Sequence, residues 1–197
     1  TAGASIDPNP LPTDAPARVP LSGIAEWQLV EDPAGADPET VVEDCVRAHH
    51  AGGFDQMVWS CGRSVLDYCS EVPGATTPLN VEPLNARVVL KQKVLRSHCP
   101  LRRAIEVCRE LDMPIMGRLA MNRHYDSERH PELQSRFAAD HPEYLERDKA
   151  GRPVTHKLCY AVEEVRQERI DILLEIQRTG VDALVPDFCR QVPVLMY

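Results

Sequence analysis

Apolar and polar positions alternate along the chain in two periods, and the switch between them recurs. "ADPETVVEDCVRAHHAGG" places Val42, Cys45, Val46 and His49 on one helical stripe. Asp37 is expected to cap that helix, Pro38 to occupy its first position and Gly52 or Gly53 to end it. "CPLRRAIEVCRELDMP" repeats the pattern with Leu101, Ala104 or Ile105, Cys108 and Leu111, opened by Pro100. "AVEEVRQERIDILLEIQRTG" is the strongest helix: Val162, Val165, Ile172 or Leu173 and Ile176 form its stripe, and Gly180 terminates it. Short apolar runs separate these helices. "FDQMVWSCG", "PIMGRLAMN" and the segment 181–188 read as strands, and "LSGIAEWQLV" is a first strand interrupted by Gly23 and Glu26.

The connections are longer than simple turns. Residues 62–96 are turn-rich and read as a rim loop. A second insertion holds a short helix, "PELQSRFAA", then "HPEYLERDKAGRP", read as a helical turn followed by an exposed turn at Lys149–Gly151. Strand, rim loop, helix and strand thus recur about three times, and helical crossovers join parallel strands. No glycine-rich phosphate loop follows a strand, which disfavours a nucleotide-binding doubly wound sheet. The expected fold is α/β, the N-terminal half of a (β/α)8 TIM barrel. A complete barrel has eight strands in roughly 250 residues, whereas this pattern supplies about four strands in 197 residues.

Composition narrows the partners. The net charge of −8 argues against a general nucleic-acid backbone site. No uncharged apolar run of about 18 residues is present to span a membrane. Seven cysteines, at 45, 61, 69, 99, 108, 159 and 189, form no C-x-x-C pair, so reduced and mostly buried thiols are expected. Cytoplasmic and exported locations both remain open. Residues 1–20 are rich in proline and read as an extended tether, leaving 21–197 for the barrel. The apolar ending "QVPVLMY" leads to the expectation that the barrel continues beyond Tyr197.

Parallel barrels collect their working groups at the C-terminal ends of the strands. Asp187 holds that position on the fourth unit, Arg118 and Asn122 on the third, and Trp59, Cys61 and Arg63 on the second; Glu26 and Trp27 come from the first. Asp187 is either a working carboxylate or a strand-end acid paired with Arg190. Trp59 is either a stacking surface for a sugar or a core residue. His124 and Tyr125 follow the third strand and are placed to line the cleft, although exposure or turn bonding is the simpler role for His124. "HYDSERH" brings His124, Asp126 and His130 close in sequence, a weak metal signal, and no metal or other cofactor is expected. Cys189 neighbours Asp187, yet no base is apparent for a thiol nucleophile.

Three segments, in order, resemble the family-10-like glycosyl hydrolases, a glycoside-hydrolase-like family. His141, Pro142, Glu143 and Tyr144 match its His-Pro-Glu-aromatic segment, and Glu164, Val165 and Arg166 match a helix start. Asp182, Asp187, Phe188 and Arg190 match its Asp-containing strand. The match spans roughly residues 100–190; Ala183 replaces a usual glycine, and Pro186 precedes the key Asp. The resemblance implies a TIM barrel that hydrolyses, or only binds, an oligosaccharide or polysaccharide. Glycosidic cleavage uses two carboxyl groups, about 5 Å apart for retention and roughly 6.5–9.5 Å for inversion. Asp187 would be the nucleophile or charge stabiliser, kept ionised by Arg118 or Arg190. The general acid is expected beyond this chain, with Glu26 as a local substitute. An α-amylase type of barrel places Arg two residues before its fourth-strand Asp, where this chain has Val185. A metal-dependent barrel hydrolase or isomerase is a further alternative.

Overall fold

A computed structural model describes residues 19–121, 129–130 and 133–189. Four strands form one parallel sheet: β1 (Ser22–Ala25), β2 (Gln56–Ser60), β3 (Ile115–Ala120) and, at its far edge, a strand at Ala183–Asp187. Three helices pack beside the sheet between these strands: α1 (Val41–Ala51), α2 (Ala86–Ser97) and α3 (Pro100–Glu110). The second insertion contributes α4 (Arg136–Asp140) and an antiparallel hairpin, β4 (Leu145–Arg147) with β5 (Pro153–Leu158). The 16-residue helix α5 (Glu163–Arg178) then leads to the fourth parallel strand, β6. The result is a partial (β/α) barrel, as the periodicity implied. No described helix is long and apolar enough to cross a membrane.

The register divides the sheet into two faces. Ala25, Trp59, Gly117 and Leu184 lie abreast, and alternation puts Met57, Ile115 and Leu119 on that same side. All except Leu184 and the glycine are buried core residues, packed with Val42, Val46, Leu101, Ile105, Cys108, Ile172 and Ile176 from the helices. Burying one such aliphatic side chain contributes about 1.5–3 kcal/mol, so this face and the helical stripes fold as one unit. Gly117 is required by proximity: a Cβ there would lie 2.4 Å from Ile176 Cγ2, and the missing side chain lets α5 approach β3.

Helix ends differ in detail from the sequence reading. Asp37 does not cap α1 directly. It builds the preceding turn, accepting the Glu39 amide on Oδ1 at 2.9 Å and the Val41 amide on its carbonyl at 3.0 Å. Thr40 is the N-cap residue. Gly52, Pro100 and Gly180 do act as the sequence suggests, Gly180 with φ of +100°. Two elements were not foreseen. The rim loop contains α2, whose Asn85 side chain accepts the Val88 amide at 3.1 Å, a sequence-visible cap. The segment after the Pro142–Tyr144 turn forms the β4–β5 hairpin, with the anticipated turn at its tip.

Candidate functional site

The opposite face of the sheet carries Ile24, Val58, Met116 and Ala183 at one level, then Ser60, Arg118 and Val185, then Ala120 and Asp187. Glu26, just beyond β1, continues this row. The polar members gather at the C-terminal ends of the strands. Glu26, Ser60, Gly62, Arg63, Asp67, Lys91 and Arg118 share a cavity of about 210 Å³.

Arg118 organises the cavity floor. It is 5% exposed and reaches sideways from β3 to Asp187 on β6. Its Nε donates to Asp187 Oδ2 at 2.8 Å, and Nη2 donates to the same oxygen. Nη1 donates to Ser60 Oγ at 3.4 Å and lies 3.8 Å from Glu26 Oε1. Asp187 Oδ1 accepts the Cys189 amide at 2.8 Å. Burial raises the Asp187 pKa, but the Cys189 amide and the Arg118 guanidinium outweigh it and hold the carboxyl below its ordinary value. The Cys189 side chain adds a further contact to this carboxylate.

Strand register supplies the arginine that the local sequence lacks. Val185 occupies the position two before Asp187, and Arg118 sits directly beside Val185 across the β3–β6 ladder. Pro186 lies opposite Leu119 in the same ladder.

A second ion pair closes the cavity wall. Lys91 Nζ on α2 lies 2.6 Å from Asp67 Oδ1, with side-chain exposures of 16% and 7%. Sequence reasoning missed both residues because α2 was read as loop. Gly62 shapes the adjoining turn. Its φ is +110°, and a Cβ would meet the Val65 carbonyl oxygen at 2.4 Å and Leu66 Cα at 2.8 Å. Gly62→Ala is therefore expected to cost about 3 kcal/mol, from left-handed strain plus a clash with unyielding backbone; a denaturant midpoint unchanged from wild type would contradict this.

Of the expected site residues, Arg118 and Asp187 meet. Trp59 takes the core alternative: it is 0% exposed and lies on the helical face, opposite Arg118. Cys61 is likewise buried in the core, whereas Arg63 lines the cavity. Asn122, His124, Tyr125 and Arg190 lie outside the described residues, as does Asp126. Among the described residues no group of three or more His, Cys, Asp or Glu side chains is arranged to hold a metal.

The segments that carry the sequence resemblance serve mostly as supports. His141 and Tyr144 stack with centroids 4.6 Å apart, and the His141 ring pairs with Glu143 at 3.1 Å. Arg166 donates to the carbonyls of Tyr160 and Ala161, tying the start of α5 to the preceding turn. Asp182 accepts the Ile115 amide at 2.8 Å, fixing the entry of β6 against β3.

The fold is shared with glycoside-hydrolase barrels of distant sequence. An alpha-amylase from Lactobacillus plantarum superimposes with a TM-score of 0.55 at 19% identity, covering 88% of this chain and 39% of that one. A noncanonic maltogenic alpha-amylase from Thermotoga neapolitana gives 0.54 at 14% identity, covering 88% and 40%. The chain thus spans about 40% of the length of these structures. No protein-family model and no curated protein matches the chain.

Proposed function

We propose that this chain forms part of a glycoside hydrolase related to the family-10-like glycosyl hydrolases and acts on an oligosaccharide or polysaccharide. Asp187 is its nucleophile or charge-stabilising carboxylate. The observation that carries this reading is an ionised, arginine-held carboxylate at the C-terminal end of a barrel strand. Arg118 keeps Asp187 charged and fixes its orientation. The partner acid comes from outside this chain or from Glu26, which shares the Arg118 guanidinium. Residues 1–20 serve as a tether to this barrel unit. Asn122, His124, Tyr125 and Arg190 complete the sugar-facing rim.

A non-catalytic sugar-binding barrel is the second reading, supported by the same ion pair. A carboxylate held by Arg118 and Cys189 is a stable anchor as well as a poised nucleophile. Incubation of the full-length protein with a panel of polysaccharides, following release of reducing ends and binding by calorimetry, separates the two. Release that disappears in Asp187→Asn supports hydrolysis. Binding without release supports the second reading, and neither binding nor release rejects both.

A further inference from the structure

The cavity at the C-terminal ends of the strands has a wall that the Arg118–Asp187 pair does not explain. Arg87, Val88 and Lys91 recur at helical spacing and turn one face of α2 toward it. That helix is fixed at two points. Asn85 caps its start, and the buried Gln92 amide donates to the carbonyls of Pro78 and Val81. Asp67 is fixed as well, its amide donating to the Cys61 carbonyl at 2.9 Å. The Lys91–Asp67 pair therefore presents its polar groups at set positions.

Two features of this wall point to a ligand. Among the described residues, the Lys91 ammonium has one hydrogen-bond partner, Asp67 Oδ1 at 2.6 Å. An ammonium carries three donors and a carboxylate about four acceptor positions, so this one contact exhausts neither group. Gln28, in the turn after β1, lines the same cavity; it is 8% exposed, and its side-chain Oε1 has no hydrogen-bond partner. A buried amide without a partner is costly to keep, and a ligand hydroxyl entering the cavity would satisfy it. Between these polar groups the lining is apolar, from Leu29, Val65, Pro78, Val81 and Val88. The cavity's volume of about 210 Å³ lies below the roughly 300 Å³ at which pockets begin to hold drug-sized ligands, so it suits a single ring.

Charge decides the class of that ring. Asp67 already neutralises Lys91, and Asp187 neutralises Arg118. An anionic sugar would have to displace a carboxylate whose side chain is only 7% exposed. Two adjacent hydroxyls need displace nothing: one accepts from the ammonium while the other donates to the carboxylate. We propose that Gln28, Asp67 and Lys91 form a subsite for one neutral hexopyranose ring, with the Lys91–Asp67 pair on two adjacent hydroxyls and the Gln28 amide on a third. This rests on the sugar-hydrolase reading above and specifies its substrate class. Asp187 meets Arg118 from beside this cavity and does not line it, so the ring held here is a neighbour of the reacting ring.

The test titrates the full-length protein with methyl glucoside, methyl galactoside and methyl mannoside, their monodeoxy analogues and the corresponding uronic acids, using ligand-observed NMR. The expected result is binding of a neutral ring that weakens about tenfold or more when either of two adjacent hydroxyls is removed, because a charged partner is then left unpaired. Gln28→Met should weaken the same ring several-fold and leave Tm unchanged or raised, since methionine replaces an amide that had no partner. Asp67→Asn, which also loosens a buried pair, should abolish the discrimination between parent and deoxy rings. Binding indifferent to Gln28→Met and to deoxygenation overturns the subsite, as does a uronic acid that outcompetes its neutral parent. A protein that binds or cuts a polysaccharide yet takes none of these rings overturns the subsite alone. One that does neither removes the reading on which the subsite rests.

Discussion

Asp187→Asn in the full-length protein is expected to lower kcat on a responsive glycan by roughly 10³-fold, about 4 kcal/mol of lost transition-state stabilisation. The substitution is close to isosteric, and the amide oxygen can still accept from the Cys189 amide that now meets Oδ1. What disappears is the negative charge. An oxocarbenium-like transition state develops positive charge at the sugar, so the lost stabilisation falls mainly on the chemical step. KM should consequently shift much less than kcat. Initial-rate kinetics over a range of glycan concentrations provide the measurement. A kcat unchanged from wild type would remove Asp187 from the chemistry, while an increase in KM alone would make it a binding group.

What the sequence made legible was periodicity, because helical stripes and apolar strands are local. Val42 and Val46, Leu101 and Ile105, and Ile172 and Ile176 all face the sheet as their spacing required. The β4–β5 hairpin and α2 escaped for a related reason: their patterns are locally weak. The face of α2 combines Val88, Leu90, Val94 and Leu95 with a buried polar residue, Gln92, whose amide donates to the carbonyls of Pro78 and Val81. No clean apolar stripe marks such a helix; only the Asn85 cap did.

The candidate site shows the same division. Placing Asp187 at a strand end followed from counting repeats, but identifying its partner needed the register between β3 and β6. Arg118 and Asp187 are 69 residues apart in sequence, and only the pairing of Arg118 with Val185 brings them together. Trp59 illustrates the cost of lacking that parity. One residue along β2, Ser60 faces the cavity, whereas Trp59 faces the helices.

Arg118→Met should produce the largest loss of stability, about 3–5 kcal/mol, because it leaves a largely buried carboxylate without its cation. Asp187 has only 10% side-chain exposure, and its contacts from Cys189 carry no positive charge to replace the guanidinium. The double variant Arg118→Met/Asp187→Asn should recover part of that loss, since a neutral amide has less need of a charged partner. pH provides an independent check. The folded-state pKa of Asp187 is depressed, so the stability it contributes is present above the unfolded value of about 3.9 and is lost as pH falls through the lower folded value. Urea titrations from neutral pH into that acidic window should show the difference between wild type and Arg118→Met narrowing as Asp187 protonates. A difference independent of pH there would mean that Arg118 stabilises the strand ends by packing and through Ser60, and not by holding a charged Asp187.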